Sequence, residues 1–188
     1  MKTHFICPLY FLITVLVISL SGCDENPVVS SYNGNLLSNG SFEKNNIASL
    51  EGWRFGNKQL SELVNDTPPN GGSWSLQLTS DWAPTTGYVY TPVSNVTNGD
   101  ILKLSAFVRG TGRYGGKGII TLFTGSINNP ESIKSSFSSD TVWTQISITD
   151  TLSLEKNDTL WVLLSSPATE IIPFQQMFDL VKLEKISN

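Results

Sequence analysis

Reactive side chains are few in this 188-residue chain, and their positions limit the chemistry it can host. Its one His and two Cys, at His4, Cys7 and Cys23, all precede residue 24. Beyond that point no Ser-His-Asp or Cys-His array can be assembled, no His/Cys zinc site is available and no disulfide can close. Carboxylates, Lys, Tyr and hydroxyls remain. Two carboxylates can cleave a glycosidic bond when they stand roughly 5–10 Å apart in a cleft and one has a raised pKa. Asp81 and Glu170 are one imaginable pair, but none of the 16 acidic residues lies in a recognisable catalytic motif. The segment Gly110-Thr111-Gly112-Arg113-Tyr114-Gly115 matches the glycine pattern of a dinucleotide loop. Just downstream, residues 118–124 (GIITLFT) read as a strand rather than a helix able to hold a pyrophosphate, so a hairpin loop is expected there. With 12 Lys+Arg against 16 Asp+Glu, the net charge of −4 and the pI near 4.9 argue against a nucleic-acid partner, which calls for a basic stripe.

The elements that must position any site begin after a processing segment. Lys2 and His4 precede an apolar run over residues 9–20, and Ser21-Gly22 supply a small-residue cleavage site, which is the build of a signal peptide. About a dozen apolar residues are too few for a membrane-spanning helix, which needs roughly 20. Leu20-Ser21-Gly22-Cys23 resembles the lipobox of bacterial lipoproteins. That resemblance implies cleavage before Cys23, acylation of its thiol with palmitate-like chains, and attachment to a membrane, for which more than one acyl chain is needed. The chain then divides into a signal peptide (1–22), a lipidated Cys with a polar tether (23–35) and a folded domain (36–188). The expected location is the bacterial cell envelope, at the outer membrane or cell surface rather than the inner membrane, with the leaflet open.

Past the tether, β-like runs at 36–43, 74–79, 86–93, 101–108, 118–124, 141–149, 159–165 and 176–185 alternate with Gly, Pro, Asn, Asp and Ser clusters. About eight strands divided by turn signals predict an all-β domain, a two-sheet antiparallel β-sandwich. Hydrophobic residues at 39% against 15% charged are enough for its core. Strand alternation puts Leu102, Leu104, Ala106 and Val108 on one face and Lys103, Ser105, Phe107 and Arg109 on the other. Ile146 and Ile148 likewise oppose Trp143, Gln145 and Ser147. Ser75 and Gln77 oppose Leu76 and Leu78.

The order of several short motifs resembles carbohydrate-binding modules with the galactose-binding-like jelly roll. Asn35-Leu36-Leu37-Ser38-Asn39-Gly40-Ser41-Phe42-Glu43, Gly52-Trp53 and Gly72-Ser73-Trp74-Ser75-Leu76-Gln77-Leu78 match the opening of that family. The run 99–110 (GDILKLSAFVRG) matches its central strand, Trp143-Thr144-Gln145 a later strand start, and Phe178-Asp179-Leu180-Val181-Lys182-Leu183 its closing strand. The resemblance implies a structural calcium ion tying the first strand to the last, with Glu43 and Asp179 as ligands and loop carbonyls completing the shell. Leu180 stands where the family often repeats the acidic residue, which leaves one ligand fewer.

The resemblance also implies sugar recognition, in which flat aromatic faces stack on a pyranose ring and polar groups bond its rim. Trp82 lies in a loop-like stretch and is the first candidate; Arg113 and Tyr114 come next, in the Gly-rich segment. Tyr88, which shares a strand face with Tyr90, and Gln77 and Phe107 on mixed faces complete the set. Trp53, Trp74, Trp143 and Trp161 are expected in the core. The leading functional reading is non-catalytic binding of a polysaccharide or oligosaccharide. The alternatives are a structural or adhesive sandwich that meets envelope protein partners and, third, a carboxylate-based glycosidase.

Overall fold

The computed structural model describes residues 34–80, 86–111, 116–155, 158–167 and 174–187. Its strands are β1 (Glu43–Lys44), β2 (Ile47–Ala48), β3 (Arg54–Phe55), β4 (Ser61–Val64), β5 (Ser75–Ser80), β6 (Gly87–Val93), β7 (Ile101–Gly110), β8 (Gly118–Ser126), β9 (Asn129–Ser138), β10 (Thr144–Thr151), β11 (Leu160–Ser166) and β12 (Phe174–Ser187). A short 3-10 turn, Lys58–Leu60, is the helical element among the described residues. Two five-stranded antiparallel sheets face each other. Sheet I has the order β10-β7-β12-β5-β4, sheet II has β3-β6-β11-β8-β9, and β1 and β2 form a separate hairpin. The all-β sandwich anticipated from alternation is the observed fold.

Period-two patterning explains the layers. Leu102, Leu104, Ala106 and Val108 of β7 are buried between the sheets, facing Val89, Ile120, Val162 and Leu164 of sheet II in one core cluster. Residues of odd parity on β7, and Trp161 and Leu163 on β11, take the outer faces. On β12 the register against β7 shifts between Asp179 and Lys182, where Leu180 adopts φ 48°. This bulge moves the inward set from Gln176 and Phe178 to Val181 and Leu183, so both halves of a long strand feed the core. Beyond the bulge, the N-terminal segment is stitched to β12. Leu36 N donates to Leu183 O at 2.9 Å, and the Asn35 side chain donates to Val181 O at 2.8 Å while accepting from Leu183 N at 2.9 Å.

Three local expectations are corrected. Residues 36–43 form turns rather than a strand, because Asn39-Gly40 reverses the chain and Phe42 sits at φ 56°; only Glu43 joins the β1 hairpin. β7 and β8, expected to form a hairpin, do not pair, because β7 belongs to sheet I and β8 to sheet II; most of the Gly-rich segment between them, residues 112–115, lies outside the described residues. Of the four tryptophans expected in the core, Trp53 is buried and donates its Nε1 hydrogen to Asn39 O at 2.8 Å, whereas Trp74, Trp143 and Trp161 are half-buried.

Candidate functional site

Pairing in sheet II brings outward residues of its five strands into transverse rows. One row runs Tyr88, Ser165, Ile119, Phe137; the next Arg54, Tyr90, Leu163, Thr121, Ser135; a third Pro92, Trp161, Phe123. Aromatic rings make a continuous path through them. Tyr88 and Tyr90 have centroids 6.2 Å apart, Tyr90 and Trp161 5.6 Å, and Trp161 and Phe123 6.3 Å with planes within 13°. The Arg54 guanidinium lies 5.4 Å from the Trp161 ring centroid, and Trp161 Nε1 donates to Gly125 O at 3.0 Å. The indole plane is therefore held at its edge and on its face. Gly56 lies against Tyr88: its N–H donates to Tyr88 O at 3.1 Å, and a Cβ there would collide with the phenol ring.

Beside this path the same face carries a groove of about 230 Å³ lined by Ile119, Thr121, Phe123, Ile133, Leu163 and Ser165, with Ile127, Pro130 and Ser135 at its side. Thr121 and Ser135 share a hydroxyl hydrogen bond of 3.0 Å across the β8–β9 pair. Phe137, exposed at the β9 edge, has Lys117 Nζ 4.4 Å from its ring centroid. The half-buried rings of Tyr88, Tyr90 and Trp161, backed by the buried Phe123, with a guanidinium and hydroxyls beside them suit an amphipathic ligand that has an apolar ring face and a polar rim.

The sequence candidates are divided by the fold. Tyr88 belongs to the aromatic path of sheet II. Gln77 on β5 and Phe107 on β7 lie on the outer face of sheet I, on the opposite side of the sandwich, because β5 and β7 both pair with β12 while β6 pairs with β11. They do not form one site with Tyr88. Trp82, Arg113 and Tyr114 lie outside the described residues, as do Cys23 and the imagined acidic pair Asp81 and Glu170. Sequence reasoning missed Arg54, Phe123 and Trp161. For Trp161 the signal was present, since Trp161, Leu163 and Ser165 oppose the apolar set Leu160, Val162 and Leu164.

Glu43 and Asp179 lie near enough for the charge of one to act on the other. Asp179 is fully buried; its Oδ1 accepts from Leu180 N at 2.6 Å and its Oδ2 has no partner among the described residues. Burial pushes its carboxyl up to about 8 against the lowering effect of the Leu180 N–H, and the neighbouring Glu43 adds to the rise. Glu43 Oε1 accepts from the backbone N–H groups of Ser73 and Trp74, the latter at 2.7 Å. Gly71 packs against Asp179 and Gly72 against Glu43, where side chains would collide with the two carboxylates.

The profile of the carbohydrate binding domain family matches residues 34–170. The chain belongs to this family. Among curated proteins none matches it by sequence. Solved structures share the fold of this carbohydrate-binding domain at low identity. A family 16 carbohydrate-binding module is 18% identical with a TM-score of 0.61, covering 79% of this chain and 99% of its own. The CBM22-1 xylan-binding domain of Paenibacillus barcinonensis Xyn10C is 13% identical with a TM-score of 0.59, covering 82% and 96%. TmCBM61, solved with beta-1,4-galactotriose, is 16% identical with a TM-score of 0.55, covering 81% and 99%.

The acidic pair of this carbohydrate-binding domain supplies oxygen donors of the kind calcium takes, although among the described residues no third His, Cys, Asp or Glu side chain joins them, so loop carbonyls would have to complete the shell. An ionised, unpartnered buried carboxylate beside a second carboxylate is costly unless a proton or a cation neutralises it, and calcium accepts mixed carboxylate and carbonyl oxygens in six to eight positions.

Proposed function

We propose that the domain binds a polysaccharide or oligosaccharide without cleaving it, using the outer face of sheet II as its platform. The observation that carries this reading is the continuous path Tyr88, Tyr90, Trp161, Phe123 with Arg54 over the indole. Sugar rings stack on Trp161 and Tyr90 through their C–H faces. Arg54 and the hydroxyl of Ser135, both exposed, supply hydrogen bonds to the rim. Because Trp161 is tethered by Arg54 and Gly125, little ordering entropy is lost on binding.

In the same proposal Glu43 and Asp179 hold a calcium ion that is architectural. It neutralises the buried pair and clamps the 65–73 loop and the β1 hairpin to β12, in a domain without a disulfide. Cys23 carries the lipid anchor that keeps the platform at the bacterial envelope; the lipobox-like residues 20–23 support that placement.

A glycan array probed with wild-type protein and with Trp161→Ala tests the reading. Binding of a defined glycan that disappears in Trp161→Ala is expected. A folded wild-type protein that binds no glycan would overturn it and favour a protein-partner or adhesive role.

A further inference from the structure

We infer that the domain has a second glycan-binding face, on the outer side of sheet I, which makes it a bridging module with two sites pointing in opposite directions. The inference rests on the glycan-binding reading above and extends it to a different surface. Between β7, β10 and the N-terminal segment lies a groove of about 490 Å³, more than twice the size of the groove on sheet II and within the range of small-ligand sites. Phe107, half-buried, lines it directly opposite Gln145 in the β7–β10 pairing. Its other walls come from Ser38 and Gly40 on one side and the β12 bulge, Leu180 to Lys182, on the other.

The groove is chemically mixed, not an apolar slot. Asn35 is engaged with Val181, Leu37 and Leu183, and Lys182 is ion-paired with Glu184 at 2.6 Å. The polar capacity left for a ligand therefore rests with neutral groups: the exposed Gln145 amide and the hydroxyls of Ser38, Ser41 and Ser105. One aromatic platform rimmed by neutral amide and hydroxyl groups matches a neutral sugar, whereas an anionic or cationic ligand would need a free opposite charge. Further along the same face, Trp143 and Arg109 are both fixed by Asp66, the indole at 3.2 Å and the guanidinium at 2.7 and 2.6 Å to its two oxygens. A chain leaving the groove along β10 therefore meets a second preorganised ring. Since the two sheets lie back to back, glycans on the two faces belong to different chains, and a bridged pair gains by effective concentration without new contacts.

The test is a glycan array with the purified protein as wild type, Trp161→Ala, Trp161→Ala/Gln145→Ala and Trp161→Ala/Phe107→Ala. Gln145 is exposed, so its replacement leaves the core intact even if Phe107→Ala lowers stability. The expected result is that at least one glycan stays bound in Trp161→Ala and weakens tenfold or more in either double variant. Loss of every signal in Trp161→Ala alone, or residual binding indifferent to Gln145 and Phe107, would overturn the second face while leaving the first. Silence of the wild-type protein would overturn both.

Discussion

Tyr90 and Trp161 meet across neighbouring strands of sheet II with ring centroids 5.6 Å apart and planes at 58°. Neither ring belongs to the inter-sheet core, and Arg54 covers the indole from the β3 side. Both rings are half-buried, so each keeps part of its surface open to solvent on this outer face, where the proposed ligand would meet it.

Trp161→Ala is accordingly expected to weaken glycan binding by about 2 kcal/mol, roughly thirtyfold in Kd, with a small fall in Tm. Isothermal titration against the best array ligand, paired with a thermal melt, measures both. A melt that collapses while residual folded protein binds normally would assign Trp161 to stability instead.

Gly56→Ala should act on the same face through Tyr88. The added methyl collides with the phenol ring, so the ring must swing away from Tyr90 or β3 must shift, at a cost of about 1–3 kcal/mol. Binding is expected to fall with it. In a Tyr88→Ala background the Gly56→Ala change should cost almost nothing, and this non-additivity in a double-mutant cycle identifies the Gly56–Tyr88 contact as the cause.

Much of the fold was legible because strand parity leaves a clear mark. The alternation in 101–109 gave both β7 and its buried side, and the same rule separates Trp161 from Leu160 and Val162. Other elements left no such mark. β9, Asn129–Ser138, reads as polar with a proline, and becomes a strand only by pairing with β8. The site was legible in part for a related reason. Parity shows that Tyr88 and Tyr90 share a face and that Phe107 faces outward, but not that β6 neighbours β11 and β7 neighbours β12. That pairing is set by the whole sandwich, and it sends Tyr88 to one side and Gln77 and Phe107 to the other.

Replacing Cys23 by Ser should release the protein from the membrane. If the lipobox-like residues 20–23 direct acylation, Cys23→Ser abolishes incorporation of labelled palmitate and moves the protein to the soluble fraction, with glycan binding unchanged. Retention of label and membrane association in that variant would remove the anchor from the proposal.

Calcium and pH should be coupled through Asp179. Its folded-state pKa, raised by burial to about 8, lies far above the roughly 3.9 of an unfolded aspartate, so the folded chain holds a proton that the unfolded chain has lost. Without metal, the stabilising contribution of this group is complete below about pH 4 and disappears as pH rises through about 8, with a slope of up to about 1.4 kcal/mol per pH unit between them. Calcium requires the ionised carboxylate, so its stabilising effect grows over the same interval. At a hundredfold excess over Kd it amounts to about 2.7 kcal/mol. Urea unfolding at pH 5, 6.5 and 8 in chelator is therefore expected to show falling stability, and in calcium a flatter profile whose advantage is largest at pH 8. Asp179→Asn, neutral throughout, should remove both the decline in chelator and the gain from calcium. Stability in chelator that rises from pH 5 to 8, or a calcium gain that survives Asp179→Asn, would show that this pair does not hold the ion.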